Sequence, residues 1–315
     1  MASVGFVFPG QGSQSLKMLA DYVPDHSIVS ETFAQASSVL GYDIWALCQN
    51  GPESQLNQTQ FTQPAMLVAD VALWRLWCSR TEVRPSVVAG HSLGEYAALV
   101  AAQAIAFEDA VSLVSKRGQF MQEAVPAGGG AMAALIGITV EDAERLCHEQ
   151  AKGDVLSLAN INSIGQIVVA GDKVAVQRAV DTVRDYAGRM AVLIPVSVPA
   201  HCELMGSAAS LLKEELFNAN FSSPEVRVIH NVDLSSQSDP AIIHELLVEQ
   251  MTSPVQWVGT IEKYIRNDIS LVVECGPGNV LQGLNKRISK DLKTISLSTP
   301  ALFDRALEQV EDVMS

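Results

Sequence analysis

Val87-Val88-Ala89-Gly90-His91-Ser92-Leu93-Gly94-Glu95-Tyr96 decides how this chain is read. A β-branched apolar run enters Gly-x-Ser-x-Gly, and Tyr96-Ala97-Ala98-Leu99-Val100 continues as the first turns of a helix. This is the strand, sharp turn and helix that a nucleophile elbow requires. Side chains do not fit on the inner side of such a turn, so Gly90 and Gly94 flank the serine. Ser92 is placed at the tip with its hydroxyl exposed. The backbone N–H of Leu93 opens the helix and points where an oxyanion would form. A bare Gly-x-Ser-x-Gly carries little weight in a chain with 21 glycines; its flanking pattern carries the argument.

Outward from the elbow, apolar runs alternate with helical periodicity. A buried strand is predicted over 4–8, ending in Pro9-Gly10-Gln11-Gly12-Ser13-Gln14. Helices are predicted over 28–40, from Pro64 through Trp77, from Tyr96, and over 107–125. This order indicates an α/β fold: a large hydrolase-like domain built on a mostly parallel sheet. At Gly128-Gly129-Gly130 the pattern changes. A strand over 131–136, a helix over 140–150, strands over 155–162 and 166–170, a helix over 174–186 and a strand over 190–196 follow. The order β-α-β-β-α-β is the ferredoxin-like α+β unit. Residues 1–127 and 198–315 are therefore expected to form the large catalytic domain and 128–197 an inserted small domain. A cleft between two domains is a common place for a small-molecule site. Beyond the insertion, helices are expected over 202–217, 242–251, 255–266, from 280 and over 301–313. Strands are expected over 226–231, 271–274 and 294–297.

Composition excludes several classes. At 315 residues, 48% apolar and 18% charged, the chain suits a globular enzyme with a large core. Its net charge of −14 argues against nucleic-acid binding. The apolar stretch 87–106 carries His91, Glu95 and Gln103, so a buried strand and helix are expected there, not a membrane span. Lys17 is the first cation and Pro9-Gly10 interrupts the apolar start, so no signal peptide is expected. Five scattered cysteines without Cys-x-x-Cys spacing point to free thiols in a reducing cytoplasm, with no structural zinc.

A serine nucleophile needs a base. Of the six histidines, His201 lies between the end of a predicted strand at Val198-Pro199 and the start of a helix, where open α/β sheets place their sites. The alternative is a structural histidine capping its helix. His91 adjoins the serine, so its side chain diverges from it. Cys202 has no elbow of its own and is a poor rival nucleophile. No acidic third member is evident, so a Ser–His dyad oriented by a neutral group such as a backbone carbonyl is expected. The second oxyanion donor must come from a loop beside the elbow, and the Gln11 N–H fits. That glycine-rich first loop has neither Gly-x-Gly-x-x-Gly nor Gly-Lys-Ser/Thr, which weakens a phosphate-cradle reading. In the helix over 107–125, Arg117 falls on the apolar stripe of Val111, Val114, Met121 and Val125, whereas Lys116 does not. A buried guanidinium needs an anion: a substrate carboxylate, or an internal Asp or Glu, unless the side chain snorkels.

These residues form a larger set. Pro9-Gly10-Gln11-Gly12-Ser13-Gln14, Thr62-Gln63-Pro64-Ala65, Gly90-His91-Ser92-Leu93-Gly94-Glu95, Arg117-Gly118, Pro199-Ala200-His201 and Glu274-x-Gly276-Pro277-Gly278 occur in order across essentially the whole chain. Together they resemble the malonyl-CoA:acyl-carrier-protein transacylases of type II fatty-acid synthesis. The resemblance implies Ser92 as nucleophile, His201 as base, Arg117 on the malonyl carboxylate, and the Gln11 and Leu93 amides as oxyanion hole. It further implies that Gln250 orients His201 through its backbone carbonyl and that Gln63 and Asn162 line the pocket. Malonyl-CoA as substrate, acyl carrier protein as partner, no cofactor and no metal, and a monomer in the cytoplasm follow from it. One departure is Ile164-Gly165, where that family often carries proline. An acidic carrier would need a local cationic rim, for which Lys116, Arg189, Lys286, Arg287 and Lys290 are candidates; an ordinary solvated helix face explains the last three equally well. A serine hydrolase, a silent carrier-docking subunit and a malonate-decarboxylase transacylase subunit are the alternatives to the transacylase reading.

Overall fold

Alternation along the first strand, β1 (Ser3–Phe8), explains the larger layer: Val4, Phe6 and Phe8 enter one core and Val7 another on the opposite face. The computed structural model describes residues 3–126 and 128–314; Met1, Ala2, Ala127 and Ser315, and with them the expected boundary at 127/128, lie outside it. After β1 come α1 (Ser27–Leu40), α2 (Ile44–Asn50), α3 (Glu53–Leu56) and α4 (Thr59–Arg80). Then follow β2 (Val87–Gly90), α5 (Gly94–Ala101) and α6 (Phe107–Ala124). The middle segment forms β3 (Gly130–Ile136), α7 (Val140–Ala151), β4 (Leu156–Ser163), β5 (Gln166–Asp172), α8 (Lys173–Thr182) and β6 (Met190–Leu193). The chain returns through α9 (Gly206–Asn218), β7 (Arg227–Ile229), α10 (Pro240–Glu249), α11 (Trp257–Arg266) and β8 (Ile269–Glu274), then α12 (Val280–Ile288), β9 (Lys293–Ser296) and α13 (Pro300–Met314).

The large sheet has the order β7-β2-β1-β8-β9 and is parallel throughout. Its inner strands are buried on both faces, as parallel strands under helices must be. On one face Phe6 meets Trp74 and Trp77 edge-on, with ring centroids 5.4 and 5.1 Å away. On the other, Trp257, Ile261 and Tyr264 of α11 pack with Leu281 and Leu284 of α12.

The small sheet is antiparallel with the order β4-β5-β3-β6, the ferredoxin-like arrangement expected of β-α-β-β-α-β. Its faces differ. Ala133, Leu135 and Val169 turn toward α7 and α8. Met132, Val168 and Ala170 turn the other way and pack with Cys202 of the large unit. This helix-free face closes over the carboxyl ends of the parallel strands. Ile164-Gly165 is the two-residue turn joining β4 to β5, with Gly165 at φ +73° where a side chain would be strained.

Several boundaries differ from the sequence pattern. Pro64 lies inside α4, which starts five residues earlier at Thr59. Proline so near a helix start forfeits one backbone bond, and the Thr59 N–H is capped from outside by Ser197 Oγ at 3.2 Å. The expected helix from 255 starts at Trp257, because Val255 instead pairs in parallel with Asn160 of β4. Its N–H donates to Ala159 and its carbonyl accepts from Ile161, both at 2.9 Å, which stitches the two units together. The strand expected to reach 196 ends at Leu193, two residues before Pro195, which has no N–H to give. The short helices α2 and α3 had no periodicity long enough to mark them. Among the described residues no helix is long and apolar enough to cross a membrane.

Candidate active site

Backbone geometry explains the elbow. A Cβ on Gly90 would lie 1.8 Å from the Gly94 carbonyl carbon, and one on Gly94 2.1 Å from the Phe8 oxygen. Only glycine fits at either position. Ser92 between them has φ +52°, a region that costs a non-glycine residue on the order of 1–3 kcal/mol and persists only when its surroundings hold it. Asn231, just beyond β7, does so. Its Oδ1 accepts from the Ser92 N–H and its Nδ2 donates to the Gly90 carbonyl, both at 2.7 Å.

His201 faces the serine from the turn before α9, itself at φ +63°. Its Nε2 lies 2.8 Å from Ser92 Oγ and its Nδ1 2.7 Å from the Gln250 carbonyl oxygen, at the C-terminal end of α10. A carbonyl only accepts, so the proton sits on Nδ1 and Nε2 is left to accept from the serine hydroxyl. Burial, then the neighbouring Arg117 cation, push the imidazole pKa down to about 3, against the Gln250 carbonyl, which pulls it up. The ring is thus neutral near neutral pH, the form a general base needs. No carboxylate touches the imidazole among the described residues.

Arg117 is 1% exposed on α6, and its carrier helix approaches α4 closely because Gly118 abuts the Thr59–Gln60 backbone. Its Nη1 donates to Gln63 Oε1 at 2.7 Å, and its Nη2 donates to Gln250 Oε1 at 2.9 Å and to Ser92 Oγ at 3.4 Å. Burial pulls the guanidinium below its ordinary range, but arginine stays charged in proteins. Its hydrogen-bond partners are therefore neutral, two amides and the serine hydroxyl, not the internal Asp or Glu that one sequence reading allowed. A buried cation held by amides beside the serine is suited to an incoming carboxylate.

The remaining expected residues gather around the same cavity. Gln11, Leu93, Gln63 and Asn162 line it together with Ser92, His201 and Arg117. Asn162 Oδ1 lies 2.8 Å from His91 Nε2, so His91 turns away from the serine as its adjacency required. The apolar wall comes from Met132, Val168, Val196 and Val198 on one side and Leu281 and Leu284 of α12 on the other. Cys202 is buried, and its thiol is pushed up to about 11, mainly by burial, which leaves it inert. Of the candidate rim, Lys116 is paired with Glu215 at 2.6 Å.

Sequence reading missed Glu95, His230 and Asn231, which lie buried behind the elbow. Glu95 is one residue into α5; His230-Asn231 follows β7 at the carboxyl edge of the sheet. For His230 and Asn231, position at a strand end was the available signal. Gln250 was expected through its carbonyl alone, but its side chain also bonds Arg117, Glu95 and the Ser92 carbonyl.

The fold and this site define an acyl-transfer class, and the comparisons agree. Residues 5–300 match the family model described as the acyl transferase domain. The malonyl CoA-acyl carrier protein transacylase of Salmonella typhimurium is 50% identical over 98% of this chain and 100% of its own length. The Escherichia coli K12 protein of the same name is 49% identical over 98% and 100%. The structure of the malonyl CoA-acyl carrier protein transacylase from Coxiella burnetii superposes with a TM-score of 0.96 at 49% identity, covering 98% of each chain. A malonyl-transacylase solved in complex with its type II PKS acyl-carrier protein gives 0.96 at 46% identity, over 98% of this chain and 100% of that one. The chain belongs to the malonyl CoA-acyl carrier protein transacylases within the acyl transferase family.

Proposed function

We propose that this protein transfers a malonyl group from malonyl-CoA to the pantetheine thiol of acyl carrier protein through a malonyl-serine intermediate. The observation that carries the reading is Ser92 Oγ, placed 2.8 Å from a neutral imidazole and 3.4 Å from a buried guanidinium. The first group activates a nucleophile; the second recognises an acyl group that ends in a carboxylate. Relatives named for this activity over their whole length support it.

Ser92 Oγ attacks the thioester carbon while His201 Nε2 takes its proton. Negative charge builds on the former carbonyl oxygen, held by the Gln11 and Leu93 N–H groups; one such donor is worth about 3–4 kcal/mol. The C–S bond breaks, and the proton passes from Nε2 to the departing CoA sulfur. In the second half the carrier thiol gives its proton to His201, its sulfur attacks the ester carbon, and Ser92 Oγ recovers the proton as it leaves. One thioester replaces another, so the transfer is close to balanced and reversible. Gln250 holds the imidazole tautomer through its carbonyl, and Gln63 and Asn162 shape the pocket.

The residue roles, the division into 1–127 with 198–315 and 128–197, action as a monomer and the absence of a cofactor are parts of this proposal. So are a cytoplasmic location, which five free cysteines favour, and a role in supplying extender units to fatty-acid synthesis. Intact-protein mass spectrometry tests the core. Malonyl-CoA alone should add one malonyl unit to the wild-type chain and none to Ser92→Ala, and the adduct should pass to holo carrier protein. Rapid release of free malonate in place of malonyl-carrier would overturn the transfer reading in favour of a hydrolase.

A further inference from the structure

Behind the elbow lies an acid that the Ser92–His201 pair does not touch. Glu95 is 1% exposed. Its Oε1 lies 2.8 Å from His230 Nδ1. Its Oε2 accepts from the Asn231 backbone N–H at 3.2 Å and from Gln250 Nε2 at 2.7 Å. Gln250 then reaches the cation, the nucleophile's backbone and the base: its Oε1 accepts from Arg117, its Nε2 also donates to the Ser92 carbonyl, and its backbone carbonyl accepts from His201. One carboxylate therefore anchors the residue on which nucleophile, base and cation converge.

Packing does not explain an acid at this position. A buried carboxylate costs several kcal/mol unless its surroundings repay it, and a neutral side chain of the same shape would fill the space. Charge gives a reason. The base faces the Arg117 cation from α6 and His91 from the elbow, and acquires its own positive charge as Ser92 attacks. The groups facing Glu95 are His230 beyond β7 and, through Gln250, Arg117. A fixed negative charge here favours the imidazolium without bonding to it, and it balances Arg117 when no malonyl carboxylate is present.

We propose that Glu95 is a positioning residue for the transfer: it fixes Gln250, through it orients His201 and Arg117, and supplies the negative charge that the Ser92–His201 pair lacks. The inference rests on the malonyl-transfer reading for its substrate but not for its test. A neutral fluorophosphonate labels an activated serine without needing Arg117 or malonate. Glu95→Gln should slow Ser92 labelling about ten- to a hundredfold, well short of the ~10⁴-fold seen when an acid bonded directly to the base is neutralised. Malonyl transfer should lose kcat by a similar factor while KM for malonyl-CoA moves less than about threefold, the signature of an interaction made in the transition state. Glu95→Asp, which keeps the charge, should label several-fold faster than Glu95→Gln.

Wild-type labelling in Glu95→Gln overturns the proposal, as does a Glu95→Asp protein of native melting temperature that labels no faster than Glu95→Gln. Should Glu95→Gln fail to fold, Glu95→Asp against wild type decides: a several-fold loss supports the role and an unchanged rate refutes it. A wild-type chain that labels with the fluorophosphonate yet takes no malonyl group fails the transfer reading, while the Glu95 claim still stands or falls on the labelling rates.

Discussion

Two strand-to-helix turns flank β1 at the carboxyl edge of the large sheet, and they use the same topology in opposite ways. From β2 the chain passes through His91-Ser92-Leu93 into α5, and the turn presents a hydroxyl to the cavity. From β8 it passes through 275–279 into α12. There Glu274, the last strand residue, folds over the helix start: its Oε1 accepts from the Leu281 N–H at 2.9 Å and its Oε2 from the Gln282 N–H at 2.7 Å. A helix N-terminus is an anion site by construction. At α5 that site opens onto the cavity; at α12 the protein fills it with its own carboxylate. Position in the fold thus makes both turns eligible for chemistry, and the occupant of the helix N-terminus decides which one performs it.

The comparison breaks most severely at Gly90. With the Gly94 carbonyl carbon 1.8 Å from the new Cβ, Gly90→Ala must push α5 off β2. A loss of about 4 kcal/mol or more is expected, in the exceptional range for a point change. Chemical denaturation measures it, and a stable Gly90→Ala protein that still takes a malonyl group would refute the elbow geometry. Gly283→Ala on α12 meets open space and serves as the control.

Next in size is Arg117→Ala. The guanidinium binds the substrate carboxylate in this proposal, so malonyl transfer should fall about a hundredfold or more, the scale of a lost charge-assisted contact in a desolvated site. Acetyl transfer should change far less. Serine labelling by the neutral fluorophosphonate should hold within a few-fold, because the probe carries no carboxylate for Arg117 to bind and the Ser92–His201 hydrogen bond is made directly. An unchanged preference for malonyl over acetyl would make Arg117 structural. Labelling also reports the base: with His201 near pKa 3, its rate should stay flat from neutrality to about pH 5, without a limb at 6.5.

The third effect separates the two turns by pH. Burial raises Glu274 to about 7 although the two N–H donors pull it down. The unfolded chain releases this proton near 4.5 and the folded chain holds it to about 7. Its contribution to stability is therefore present below 4.5, declines as pH rises through that window, and is gone above it. Burial of His201 acts in the opposite direction, costing stability as pH falls from 6.5 toward 3. Glu274→Gln removes the first effect, relieves the charge that helps raise the buried Asp70, and leaves the His201 contribution in place. Its melting temperature relative to wild type should climb by a few degrees between pH 4.5 and 7 and then level off. A pH-independent difference would show that the cap does not titrate there.

The contrast between the turns also marks how far sequence reading reached. The elbow was legible because all its signals are local: a β-branched run, two glycines at fixed spacing and a helical continuation. Arg117 was legible because a guanidinium on an apolar stripe breaks a periodic rule. The ferredoxin-like insertion followed from element order. What escaped was convergence across the chain. Asn231 braces Ser92 from 139 positions away, and Glu95 meets Gln250 from 155 away. Neither pairing leaves a spacing to read. Pro64 misled because proline usually opens a helix, and here the cap comes from Ser197 on a distant segment.

The smallest expected effect concerns the far end of α12. Leu281 and Leu284 near its start line the cavity, while Lys286 and Arg287 stand exposed in its last turn. Arg287 Nη1 bonds Gln166 Oε1 of β5, so this end of the helix reaches the small sheet. With a net charge of −14, an acidic carrier needs such local cations to approach. Lys286→Glu should raise KM for holo carrier protein about three- to tenfold at low salt, less at high salt, and leave acylation by malonyl-CoA unchanged. Arg287→Glu should do the same and, by breaking the Gln166 contact, loosen α12 against β5 as well. The two variants therefore distinguish charge from tether: equal effects that vanish together in salt mean that the carrier reads only charge. A salt-resistant remainder confined to Arg287→Glu would mean that the hold of α12 on the small sheet shapes the mouth through which the thiol enters.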